Sequence, residues 1–214
     1  PAKIELKNLP LVFNVTTGHC GTKWFHSLLD SHEQIGILPM FSFYRSWKMI
    51  GASQAKSPHE MFVLWRDYIE GGKNAWDMGG ELNFFSIKLD PEKFYSRLEF
   101  LLKERGILRS EVFWSIHEAY LETLGIDVSK LRIVAAHEHL SFFLEEMMND
   151  FPKARFLYLI RDMRAAFAGG FRDLEENTFA GGSDYQFNSA FDLWWEGQKI
   201  WRNNYENGDA KIKF

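Results

Sequence analysis

The chain has 214 residues, 46% hydrophobic and 16% aromatic with 20 Phe and 8 Trp, enough for the core of one globular domain spanning 1–214. Its formal net charge of -4 supplies no broad basic field for nucleic acid or an anionic membrane, so any anion site must be local. The single cysteine, Cys20, excludes a disulfide within the chain.

One thiol fits a reducing compartment, no apolar run approaches the roughly 20 residues that span a bilayer, and "PAKIELKN" is not a signal peptide. The expected location is therefore the cytoplasm. The opening at Pro1 and the strand-like ending "GDAKIKF" read as a piece of a protein that continues beyond Phe214. Oligomeric state has no sequence signal.

"LVFNV" (11–15) is a short apolar run of the kind buried on both faces of a sheet. The turn "TTGHCGTKW" (16–24) follows, and Trp24, Phe25, Leu28 and Leu29 stand at helical spacing, predicting a helix from about Thr22 to Ser31. Segments 58–70, 91–105 and 110–124 also read as helices, with Phe94, Leu98, Leu101 and Leu102 as one buried stripe. "GGKNAWDMGG" (71–80) and "ENTFAGGSDYQ" (176–186) read as long loops.

"LRIVAA" (131–136) is a second strand. Leu140, Phe143, Leu144, Met147, Met148 and Phe151 form the apolar face of the helix after it, which Pro152 helps to end. "RFLYLI" (155–160) is a third strand, and "RDMRAAFAGGF" opens a further helix with Asp162 as its N-cap. In 191–206, Trp194, Gln198 and Trp201 share a helical face, which suits core or lid packing, or a platform for an acceptor. Strands alternating with helices predict an α/β fold with a parallel sheet flanked by helices. Ligands gather at the carboxyl ends of such strands. Here those ends are "TTGHCGTK", "HEH" and "RD", all dense in polar chemistry.

The first turn admits three readings. A strand, a Gly-rich turn and a helix aim free N–H groups at one spot, which suits an anion, with Gly18 and Gly21 allowing close approach and Thr22 and Lys23 adding a hydroxyl and a charge. The nucleotide-triphosphatase pattern GxxxxGK[ST] is not met. Cys20 near a helix N-terminus could instead be a nucleophile, and His137 with His139, two apart on a strand, could start a metal site, although no third ligand has the spacing for one. An ordinary connecting turn is the plain alternative.

Two of these turns together resemble the sulfotransferase family, whose members use 3′-phosphoadenosine 5′-phosphosulfate. Their first motif, roughly T-x-P-K-S-G-T-T-W, is similar to "TTGHCGTKW" at Thr16, Gly21, Thr22 and Trp24, and "SLLDSHEQI" continues like the family's "LLdaHPdi". Their second motif, "FPdAkfiylvRDpRavv.S", resembles "FPKARFLYLIRDMRAAFAGG" (151–170), including Phe151, Pro152, Ala154, Arg161, Asp162 and Arg164. The likeness covers about 60 residues and leaves the middle third unassigned.

The resemblance implies a P-loop-like nucleotide-binding fold without a metal requirement. Gly18, His19, Cys20, Gly21, Thr22, Lys23 and Trp24 would cradle the 5′-phosphosulfate, and Arg161 would hold the 3′-phosphate. His19 stands where the family has Lys or Arg, which leaves Lys23 to supply that charge. Gly169 stands where the family has a Ser contact to the 3′-phosphate, a loss that Arg164 or Arg172 would have to replace. For the general base, "HEHLS" resembles the family's "KTHLP" with His139 at the histidine, and "GGELNFFS" resembles "kEvHFF" with Glu81 at the glutamate. His137 and Glu138 complete the base candidates.

The function implied is sulfuryl transfer to a hydroxyl or amine of a carbohydrate or small-molecule acceptor. Two alternatives stand beside it: a P-loop nucleotide or small-molecule kinase needing Mg²⁺ and ATP, and a non-catalytic relative that binds nucleotide only.

Overall fold

The computed structural model describes residues 5–16, 20–30, 32–70, 89–138, 141–162, 164–165, 195–203, 206 and 212–213. Within them is an α/β fold built on a five-stranded parallel sheet. Strands β1 (Leu11–Val15), β2 (Ile35–Ser42), β3 (Ile133–Glu138), β4 (Arg155–Tyr158) and β5 (Ile212–Lys213) lie in the order β2-β3-β1-β4-β5. All four pairings are parallel, as expected for strands alternating with helices. The architecture is consistent with a P-loop-like α/β fold.

β1 is central because "LVFNV" can be buried on both faces. Side chains alternate along it, so Phe13 and Val15 face one way and Val12, Asn14 and Thr16 the other. Phe13 stacks on Phe156 of β4 at 5.6 Å and meets Phe113 and Phe151 at 5.7 Å each. Phe113 belongs to α5 (Arg109–Thr123), and Phe151 follows α6 (Leu144–Asp150), so both helices cover the Phe13 face. Helix α1 (Thr22–Leu29) covers the other face, where the ring of His26 meets that of His137. The chain thus leaves β1 over one face and leaves its neighbour β3 over the opposite face. That reversal makes the carboxyl ends of β1 and β3 the switch point, where α/β sheets hold ligands.

The outer layer beyond α5 is formed by α3 (Pro58–Glu70) and α4 (Pro91–Arg105), both starting at the proline that fits a first helical position. Asp90 caps α4 by accepting from the N–H groups of Glu92 and Lys93. The expected stripe Phe94, Leu98, Leu101 and Leu102 is buried. Arg97 and Arg105 tie α4 to Glu118 of α5, Arg105 at 2.8 Å.

Several boundaries differ from the sequence reading. β3 begins and ends two residues later than expected, because the 3-10 turn Val128–Lys130 runs into buried Leu131 while His137 and Glu138 pair with Asn14 and Val15. β4 stops at Tyr158, although Leu159 N–H still donates to the Val15 carbonyl, and Ile160 is exposed. The expected helix from Leu140 is a 3-10 turn over Ser141–Phe143 followed by α6. Of the apolar residues on α1, Trp24 and Leu28 are exposed and Phe25 and Leu29 half-buried, while Thr22 and His26 are buried.

β2 and α2 (Phe43–Met49) have no counterpart in the sequence reading. Pro39 within "IGILPMFS" argues against a central strand, but β2 lies at the edge, where a missing N–H is tolerated. Both long loops expected at 71–80 and 176–186 lie outside the described residues.

Removing the Phe13 side chain should cost about 3–5 kcal/mol, whereas Phe100→Ala, on a half-exposed position of α4, should stay within roughly 1 kcal/mol. Urea unfolding midpoints of the two variants check the contrast.

Candidate functional site

The order β3-β1-β4 brings the three polar strand ends side by side. Thr16 N–H donates to the Glu138 carbonyl at 3.2 Å, and Leu159 N–H to the Val15 carbonyl at 3.2 Å, so backbone bonds lock the three ends together. At the middle end, Gly21 adopts φ 89, a left-handed conformation that favours glycine, and α1 starts at Thr22. Among the described residues, a Cβ at Gly21 would meet nothing within 4 Å. Gly21 offers no side-chain cap, which leaves the first N–H groups of α1 uncapped by that residue.

Thr22 is 6% exposed, and its Oγ1 has no hydrogen-bond partner among the described residues. A buried hydroxyl left unpaired costs about 1–3 kcal/mol, so its place at a helix N-terminus calls for an explanation. Cys20 is half-buried beside Gly21 and forms no disulfide. Trp24 points outward at 68% exposure, away from the floor of the turn. Lys23 contributes its backbone to α1; its side chain, with Gly18 and His19, lies outside the described residues.

The floor of the turn carries polar residues that the sequence reading missed. Asn14 of β1 stands opposite His137 of β3 in the sheet register. The His137 ring meets the His26 ring edge-on at 5.0 Å. His26 lies one turn along α1 from Thr22, on the same helix face. All four are buried. The i, i+4 step from Thr22 to His26 was the available signal, masked by the more conspicuous Trp24 and Leu28. His137 is thus part of the floor; among the described residues no three His, Cys, Asp or Glu side chains come together to hold a metal.

Glu138, a base candidate, has a structural role. Its carboxylate is fully buried and Oε2 accepts the Tyr44 N–H at 2.8 Å, so it caps the first turn of α2. Tyr44 in turn donates its hydroxyl to Asp150 at 2.9 Å beneath the Arg109 guanidinium. Burial pushes its phenol far above the usual range. His139 and Glu81, the other base candidates, lie outside the described residues.

Beyond β4, Arg161 is exposed and Asp162 begins a helical turn as expected, its Oδ1 accepting the N–H groups of Arg164 at 2.9 Å and Ala165 at 3.4 Å. The Arg164 guanidinium binds the same carboxylate and is the main cause of its pKa falling to about 2. Arg164 and Asp162 thus form an exposed ion pair. Gly169 and Arg172 lie outside the described residues. Trp201 is buried and stacks on Tyr158 at 4.5 Å, and Gln198 donates to the Tyr158 hydroxyl at 2.8 Å. That face packs against the sheet; Trp194 lies outside the described residues.

No protein-family model matches the chain, and no curated protein matches it either.

Burial lowers the pKa of His26 to about 4, and also that of His117, which donates Nδ1–H to the Phe113 carbonyl. An unfolded imidazole takes up its proton near 6.5, so the unfolded state binds more protons between that pH and about 4. The stability supplied by these two neutral rings is complete above pH 6.5 and is lost as pH falls toward 4, by up to about 1.4 kcal/mol per pH unit for each. Urea midpoints between pH 7.5 and 4.5 should fall accordingly, and His26→Gln should flatten the slope.

Proposed function

We propose that the chain is a sulfotransferase-type enzyme that transfers a sulfuryl group from 3′-phosphoadenosine 5′-phosphosulfate to a hydroxyl or amine of an acceptor. The observation that carries this reading is the buried Thr22 hydroxyl, without a partner among the described residues, at the N-terminus of α1, beside left-handed Gly21 and past the end of the central strand. Uncapped N–H groups and such a hydroxyl beside a glycine together suit a phosphate-like group. The two motif resemblances supply the specific donor.

In this reading the backbone of 18–23, with Thr22 and Lys23, holds the 5′-phosphosulfate, and Arg161, past the adjacent strand β4, holds the 3′-phosphate. When bound, the donor supplies the activated sulfuryl group. The chain's own part is to orient that group and to stabilise charge on the departing phosphate, the same electrostatic task as in phosphoryl transfer. His19 and Lys23 carry that task. With Glu138 engaged as the cap of α2, His139 or Glu81 takes the proton from the acceptor.

Calorimetric titration with 3′-phosphoadenosine 5′-phosphate tests the donor. Binding to the wild type is expected, weakened about 10- to 100-fold by Arg161→Ala, the range for losing a charge-assisted hydrogen bond of about 1.5–3 kcal/mol. No binding, or equal binding by both proteins, rejects the reading, and Mg²⁺-dependent ATP binding instead points to a kinase.

His19→Lys should keep or raise turnover above neutral pH, because it puts a permanent charge where a mostly neutral imidazole stands. Sulfuryl-transfer rates at pH 7.5–8.5 check this; a large loss assigns His19 a role other than charge neutralisation.

A further inference from the structure

We propose that Asn14 is a positioning residue for this anion site: its buried amide forms, with His137 and His26, a polar floor that sets how tightly the first turn of α1 holds an anion. The inference rests on the reading of the Thr22 turn as an anion site. It concerns a residue outside both motifs that support that reading.

Asn14 interrupts an otherwise apolar strand, between Phe13 and Val15. It is 2% exposed, and neither Nδ2 nor Oδ1 has a hydrogen-bond partner among the described residues. An apolar side chain of similar size would remove that desolvation penalty, so stability alone does not explain an amide here. Its surroundings supply another reason. Asn14 faces His137 across the β1–β3 ladder, His137 meets His26, and His26 sits one turn below Thr22, whose own hydroxyl is buried without a partner. The four residues form one polar seam between the sheet and α1, leading from mid-strand to the helix N-terminus.

A dipole held in such a low-dielectric seam acts more strongly on a nearby charge than it would in water. The amide can also rotate its donors toward an incoming anion without adding charge when the site is empty. An amide without a partner raises the free energy of the free protein, and an anion that accepts its hydrogen bond removes that penalty, which adds to affinity.

The test compares wild type, Asn14→Leu and Asn14→Asp by calorimetry with inorganic pyrophosphate and by thermal unfolding. For Asn14→Leu the expected result is an unchanged or raised Tm together with pyrophosphate binding at least 10-fold weaker. Asn14→Asp has nearly the same shape. It should bind like wild type at acidic pH, where its carboxyl is protonated, and lose affinity as that carboxyl ionises.

Unchanged pyrophosphate affinity in Asn14→Leu overturns the inference. So does a lowered Tm in that variant, which would make the amide a structural element. Should Asn14→Leu fail to fold, that counts as the second outcome, and an Asn14→Asp to wild-type affinity ratio that does not change with pH overturns the inference separately. A wild type that binds neither pyrophosphate nor 3′-phosphoadenosine 5′-phosphate removes the site and the inference together. One that binds pyrophosphate but not the bisphosphate rejects the sulfotransferase donor and leaves the role of Asn14 to the variants.

Discussion

The backbone hydrogen bonds at the carboxyl end of β1 are the constraint on which the rest of the molecule depends. Thr16 N–H reaches Glu138 of β3 and Leu159 N–H reaches Val15, so three separate polar stretches become one surface. Neither bond involves a side chain. Each is available because β1 is apolar enough to be buried with a parallel neighbour on either side. The stacking of Phe13 on Phe156 sets the same register from the core side. Fold and site are therefore not separable here: a slip of β1 by one residue would exchange Phe13 with Asn14 and would empty the core and dismantle the floor together.

Glu138 shows how a buried charge can be structural at a place where chemistry is expected. It is the last residue of β3, at the switch point, and its position alone suggests catalysis. Its carboxylate instead meets the first turn of α2, a seven-residue helix without a side-chain cap of its own. A short helix needs help at its N-terminus, and a carboxylate there satisfies a backbone donor and complements the helix dipole. Taking Glu138 away would leave that donor bare, while the rings of Phe43 and Tyr44 still pack α2 against Phe113 and Phe13. The carboxylate joins two elements of the fold, β3 and α2.

What the sequence made legible follows from the range of the interactions. β1, α3 and α4 have boundaries set by local signals: an apolar run, a proline at the first helical position, Asp90 as a cap and a stripe at helical spacing. The polar strand ends were also legible, since the alternation of strand and helix fixes where they must meet. β2 and α2 were not. Pro39 disguises an edge strand, no turn residue separates the two elements, and the cap of α2 arrives from 94 positions away. In α1 the apolar periodicity does not mark the buried face: Trp24 and Leu28 are exposed and Phe25 and Leu29 only half-buried. Hydrophobic spacing identifies the buried side only when what lies beneath is apolar, and beneath α1 lie Asn14 and His137.

That mismatch bears on what α1 is for. A helix that only covered a sheet would put Trp24 and Leu28 inward, where burying each would yield about 1.5–3 kcal/mol. This one turns them to solvent and buries a threonine and a histidine, the latter kept neutral by its surroundings. The molecule forgoes hydrophobic stabilisation over one face of its central strand and accepts two polar side chains, on Asn14 and Thr22, without partners among the described residues. Such departures from good packing are expected where a protein holds something other than itself. They cluster here beneath Gly21, the left-handed residue at the start of the same helix. Backbone, packing and polarity thus depart from the ordinary at one spot, and together they favour an anion-holding turn over a plain connection more strongly than the glycine and lysine content of the loop does.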